Sequence, residues 1–161
     1  MAQYELLLKN ARVADYLSDI DGIYDVAVSG GAIALVEEGI DPGLADRVID
    51  LAGMTVIPGI VDLHVHTSTP NGFRMLARAG VTTALDCGGP LDDFLKELKS
   101  QRVAINAAVI QQVKPGETVS SDDPPLSEFK DVLAKWIGEG ALGLKILGGH
   151  YPMTPEATAR V

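Results

Sequence analysis

The stretch Asp50-Leu51-Ala52-Gly53-Met54-Thr55-Val56-Ile57-Pro58-Gly59-Ile60-Val61-Asp62-Leu63-His64-Val65-His66 contains the sharpest change of texture in the chain. Before Pro58-Gly59 the pattern is one of strands and turns. After it, apolar runs alternate with segments of helical period. Residues 60–66 read as a strand. Positions i and i+2 of a strand share a face, so His64 and His66 project together while Leu63 and Val65 point the other way, toward covering helices. Two imidazoles side by side at the C-terminal end of a parallel strand form a donor pair for a divalent metal. The plainer alternative is two histidines satisfied by local hydrogen bonds. Only three histidines occur in the chain, and two of them share one face of an otherwise apolar strand, which favours ligation.

Working back from this stretch, residues 1–59 read as a small antiparallel β module. Leu6-Leu7-Leu8 lies within a first strand over 4–13. Asp25-Val26-Ala27-Val28-Ser29 alternates polar and apolar residues, Gly30-Gly31 follows, and Ala32-Ile33-Ala34-Leu35-Val36 returns. Period-two alternation around a Gly-Gly pair signals a hairpin, because glycine accepts the positive φ that tight turns require. Residues 47–51, Ala52-Gly53 and 54–57 repeat the pattern as a second hairpin.

Working forward, strands are expected over 60–66, 81–86, 103–110 and 141–147. A short helix over 72–79 places Phe73, Leu76 and Ala77 on one face, with Gly80 at its end. Leu91, Phe94, Leu95 and Leu98 form the i, i+3, i+4, i+7 stripe of a second helix. Phe129, Val132, Leu133, Trp136 and Ile137 form that of a third. A polar loop with Pro115, Gly116, Pro124 and Pro125 precedes it. Four strand–helix alternations with apolar strands imply a parallel sheet covered by helices. Thr154-Pro155-Glu156 opens a further helix, with Thr as N-cap and Pro at the first helical position. That element has fewer than two turns before Val161, so the chain is expected to be cut.

Lys145 lies in the apolar run Ala141-Leu142-Gly143-Leu144-Lys145-Ile146-Leu147. Leu142, Leu144 and Ile146 occupy one face, so Lys145 faces the other. Burial there disfavours an ammonium and leaves a neutral amine, which can take up carbon dioxide to become an anionic oxygen ligand bridging two metals. The equal alternative is a lysine reaching solvent from the strand's end. His150 follows Gly148-Gly149 beyond that strand, either to contact substrate or as an exposed loop histidine. Cys87 reads as a buried structural thiol. Asp86 faces the site or bonds locally. The glycine pairs at 30–31, 88–89 and 148–149 lack the spacing of a phosphate-binding loop.

Composition narrows the partners. The chain has 161 residues, 47% of them hydrophobic, and a net charge of −9. That balance disfavours nucleic acid and anionic membrane surfaces, and it supplies enough apolar residues for a core. A single cysteine forms no intrachain disulfide, in keeping with a reducing compartment. The N-terminus has neither the basic stretch nor the apolar length of a signal peptide, and no run approaches the ~20 apolar residues that span a bilayer. A cytoplasmic location is expected.

The stretch from Asp50 to His66 resembles the entry into the barrel of the amidohydrolase superfamily. Gly80-Val81-Thr82-Thr83-Ala84-Leu85-Asp86 is similar to the second barrel strand of its dihydroorotase and hydantoinase branch. Gly143-Leu144-Lys145-Ile146-Leu147 is similar to the strand that carries a carboxylated lysine there. The resemblance implies the first half of a (β/α)8 TIM-type barrel over 60–161, preceded by an antiparallel β-sandwich segment over 1–59. It implies that His64 and His66 bind the more buried metal and that carboxylated Lys145 bridges a pair. Zinc is the first candidate, as one ion, or as two if Lys145 is carboxylated. The implied activity is hydrolysis of non-peptide carbon–nitrogen bonds in a cyclic amide, imide or N-acyl compound, by attack of a metal-bound hydroxide. The partners implied are a small-molecule amide substrate and further copies of the whole enzyme.

Histidines of the fifth and sixth strands and a proton-shuttling aspartate of the eighth belong to that pattern and are expected downstream, so no catalytic residue is assigned here. A barrel needs eight strands and typically ~250 residues, so these 161 are expected to be an inactive N-terminal fragment. The sequence departs from dihydroorotases in two places. Thr67-Ser68-Thr69-Pro70-Asn71-Gly72 stands where they place an arginine, and Cys87-Gly88-Gly89-Pro90 where they place an asparagine. Cys87 also lies two residues closer to the Thr-Thr pair than the metal-bridging cysteine of D-aminoacylases. Three other readings remain. PHP-type metal phosphoesterases share Asp62-Leu63-His64-x-His66-Thr67 but leave Lys145 without a role. A one-metal deaminase would not need Lys145, and a scaffold without chemistry would need none of the three.

Overall fold

The computed structural model describes residues 2–67, 69–100 and 103–161. The chain divides between Pro58 and Gly59 into two compact units. Among the described residues no helix is long and apolar enough to cross a membrane.

The first unit is one mixed sheet. Its strands are β1 (Leu6–Asp15), β2 (Ile20–Ser29), β3 (Ala32–Glu37), β4 (Val48–Asp50) and β5 (Thr55–Val56). β1–β2 and β2–β3 pair antiparallel, and Gly30 and Gly31 turn the β2–β3 hairpin at φ 61° and 75°. The second hairpin expected over 47–57 does not form. β4 and β5 each pair parallel with β1, at Leu7↔Val48 and at Arg12↔Thr55. The turn at Ala52-Gly53 carries the chain along β1 rather than back on itself. Local alternation marks strands but does not select their partners.

A buried polar anchor fixes the middle of this sheet. β1 shifts register between Leu8 and Ala11, and Asn10 there has φ 59°, a left-handed value that asparagine tolerates better than most residues. Asp25, 3% exposed, accepts from Asn10 N at 2.8 Å, Ile40 N at 2.9 Å and Lys9 Nζ at 2.6 Å.

The second unit is a parallel half-barrel of alternating strands and helices, as at the start of an amidohydrolase TIM barrel. Its elements are β6 (Ile60–Val65), α1 (Pro70–Arg78), β7 (Val81–Asp86), α2 (Leu91–Ser100), β8 (Asn106–Val113), α3 (Leu126–Glu139), β9 (Gly143–Ile146) and α4 (Pro155–Arg160). The strands lie in the order β6-β7-β8-β9, all parallel. Helix α1 begins two residues before the expected start, because Thr69 caps it by accepting from Gly72 N at 3.1 Å and Pro70 takes a first-turn position. The third strand lies three residues later than expected. The core joins Phe73, Leu91, Phe94, Val109, Val113, Phe129 and Trp136, with Leu144 and Ile146 packed against it.

Leu63 departs from the expectation. Val65 is buried, but Leu63 is 68% exposed, as are much of Ile60 and Val61. β6 is an edge of the four-stranded sheet, and only its end near Val65, Val81 and Ala84 is covered.

Candidate metal centre

The C-terminal ends of the four parallel strands carry the polar residues. β6 is not regular there. Its pairing with β7 shifts between Asp62 and Val65, and Asp62 Oδ1 accepts from His64 N at 3.1 Å. Such irregularities re-aim side chains. His64 and His66 end with their Nε2 atoms 3.2 Å apart and their rings tilted by 36°.

Lys145 joins them from three strands away. On β9 its neighbours Leu144 and Ile146 pack on the helix side, so Lys145 points to the opposite face, as alternation requires. Its Nζ lies 3.1 Å from His64 Nε2. His64 thus lies at hydrogen-bond distance from both His66 and Lys145, the latter 81 residues away in sequence. His64 and His66 are exposed and Lys145 is half-buried.

The cluster has an unbalanced centre. His64 Nε2 offers either one in-plane lone pair or one proton, yet it faces two nitrogens at hydrogen-bond distance. A shared cation would satisfy the lone pairs of the two imidazoles, and that of Lys145 on loss of a proton from its ammonium. Zinc–nitrogen bonds of about 2.0–2.1 Å in a tetrahedral shell place ligand nitrogens about 3.3 Å apart, close to the separations here. The donor set therefore fits a divalent metal. Among the described residues no group of three or more His, Cys, Asp or Glu side chains forms a metal cage; the third donor here is an amine.

The other candidates are placed as follows. His150 is exposed on the turn after β9, its backbone N–H donating to Leu147 O at 3.1 Å. Cys87 is buried, its thiol directed at the carbonyls of Leu63 and Leu85 at 3.8 Å. Asp86 is fully buried at the end of β7 and accepts from Thr67 N at 2.9 Å and Gly88 N at 2.6 Å. Gln112 was not singled out from sequence. It sits beside Lys145 in the β8–β9 register and donates through Nε2 to Gly88 O. Its only sequence signal is a polar side chain in an apolar strand.

A dihydroorotase of Elusimicrobium minutum (strain Pei191) is 44% identical over 86 residues, 48% of this chain and 20% of that protein. An allantoinase of Desulfitobacterium hafniense (strain Y51) is 38% identical over 109 residues, 66% of this chain and 23% of that one. An L-hydantoinase (dihydropyrimidinase) from Arthrobacter aurescens shares the fold, with a TM-score of 0.67 over 94% of this chain and 36% of that structure at 23% identity. No family model matches. The strand and helix order of this chain is shared with that hydantoinase structure. The chain belongs to the amidohydrolase superfamily, on the branch of the dihydroorotases, allantoinases and hydantoinases. It spans about a fifth of the length of the curated relatives it matches.

Proposed function

We propose that residues 60–161 are the first four βα units of a metal-dependent hydrolase of non-peptide carbon–nitrogen bonds, with a cyclic amide or imide as substrate. The observation that carries this reading is the meeting of His64, His66 and Lys145, with nitrogens at 3.1 and 3.2 Å around His64 Nε2. His64 and His66 would hold a divalent metal, zinc first, and Lys145 would hold it directly or as a carbamate shared with a second ion. The metal supplies Lewis acidity, lowering the pKa of water and polarising a carbonyl.

The chain's own residues orient and confine that chemistry. Strand β6 carries His64 and leads into His66, and β9 brings the amine to His64. Asp86 and Gln112 hold the loop beside them. His150, exposed on the turn after β9, would meet a substrate entering from the strand ends. A phosphoesterase reading explains the histidine pair but gives no role to Lys145, which is in contact with it.

The test uses the whole zinc-loaded enzyme with a hydantoin or a dihydropyrimidine. Ring opening is expected, Lys145→Ala should abolish it, and a small carboxylic acid should restore part of the rate to that variant. An unchanged rate in Lys145→Ala would remove the carbamate role.

A further inference from the structure

Beside the nitrogen cluster, side chains from two strands grip one short piece of backbone. Asp86 accepts from Gly88 N through Oδ1 at 2.6 Å. Gln112 of β8 donates through Nε2 to Gly88 O, and at 3.4 Å to Cys87 O. Gly88 is therefore held at both its N–H and its C=O. The loop is fixed further along by Gln111, whose Oε1 accepts from Leu91 N at 2.6 Å at the start of α2.

The gripped residue is the one that lies against His66. A Cβ added at Gly88 would sit 3.4 Å from His66 Nδ1 and 2.9 Å from Asp86 Oδ1. Gly88 is not among the residues with positive φ, so glycine serves here for space and not for backbone freedom. The approach to His66 is ordinary van der Waals contact, whereas the approach to Asp86 forces a shift, and Asp86 cannot give way cheaply. The Asp86 carboxylate is fully buried and hydrogen-bonded, and the His66 ring is engaged on its far side, where Nε2 meets His64 at 3.2 Å. The other oxygen of Asp86 accepts from Thr67 N at 2.9 Å, and Thr67 directly follows His66. One carboxylate thus fixes both the backbone next to His66 in sequence and the backbone that walls its ring.

We infer that Asp86 is the positioning residue of His66, acting through the N–H groups of Thr67 and Gly88, and that a Cβ at Gly88 would disturb His66 by displacing the Asp86 carboxylate. Its effect on metal affinity rests on the proposed metal role of His66; the positioning itself does not. Groups that orient a ligating histidine typically change metal affinity by about 10- to 100-fold when altered.

The experiment compares the unaltered chain with Gly88→Ala, Asp86→Asn and the control Gly149→Ala, whose added Cβ would meet nothing within 4 Å. Imidazole resonances are recorded without metal, and zinc is then titrated. Gly88→Ala and Asp86→Asn should each move the His66 ring signals and leave those of His150 in place. Zinc affinity should fall by about 10- to 100-fold, with Gly149→Ala unchanged in both readings. Asp86→Asn adds no atoms to the crowded site, so it tests the same link if Gly88→Ala does not fold. Zinc binding with unmoved His66 signals would overturn the positioning role and leave the metal site standing. Moved His66 signals in a chain that binds no zinc would leave the positioning role and remove the metal site.

Discussion

Asp25 shows at the level of one residue how this sequence holds its N-terminal sheet. Burial pushes its carboxyl up, but the hydrogen bond from Lys9 and those from the N–H groups of Asn10 and Ile40 together outweigh burial, so the carboxyl titrates below its usual value. A group lowered by folding contributes its full stability above its unfolded pKa and loses it as pH falls through the folded value. The chain should therefore lose stability below about pH 4, and Asp25→Asn should flatten that part of the profile. Asp25→Ala, which leaves two N–H groups without their acceptor and Lys9 with only Ile40 O, should cost about 1–3 kcal/mol. Urea unfolding at pH 7 and at pH 3.5 checks both. None of this was legible in the sequence, where Asp25 is one polar position in an alternating strand. Its partners Lys9, Asn10 and Ile40 come from other segments. The nearness of His64 and His66 was legible from their i, i+2 spacing, while the irregular end of β6 that aims the two rings was not. Lys145 was half legible: the apolar run gave its face, and only the parallel register of β8 and β9 gave its neighbour.

At the level of elements, local signals served best where the element is local. The stripe from Phe129 to Ile137 gave α3, and Thr154-Pro155 gave the start of α4, where Thr154 Oγ1 accepts from Ala157 N at 3.0 Å. They failed where partner choice decides the outcome, as when β4 and β5 joined β1 in parallel. They also missed Thr69-Pro70 as the start of α1, although it has the same Thr-Pro form as the pair at 154–155. Helix α3 ends on Gly140 at φ 109°, whose N–H donates to Ile137 O at 3.1 Å. A Cβ is disfavoured in that left-handed region by roughly 1–2 kcal/mol. Gly140→Ala should destabilise the chain by about that amount, read as a lower urea midpoint. No neighbour lies within 4 Å of the added carbon, so the loss would come from the backbone alone.

For the molecule as a whole, the feature that matters is convergence. His64 of β6, His66 just beyond that strand and Lys145 of β9, the two strands lying at opposite edges of the four-stranded sheet, bring two nitrogens to 3.2 and 3.1 Å from a third, His64 Nε2. The acidic chain, at −9, attracts cations in general, so affinity for metal must be traced to these side chains and not to net charge. The most direct test is a zinc titration of the chain by calorimetry, repeated with His64→Ala and with Asp92→Ala, a charge control that removes an exposed carboxylate and none of the three nitrogens. Saturable zinc binding, weakened roughly tenfold or more in His64→Ala and unchanged in Asp92→Ala, is the outcome expected here. Binding that is absent, or equal in all three proteins, would contradict a metal site at His64, His66 and Lys145.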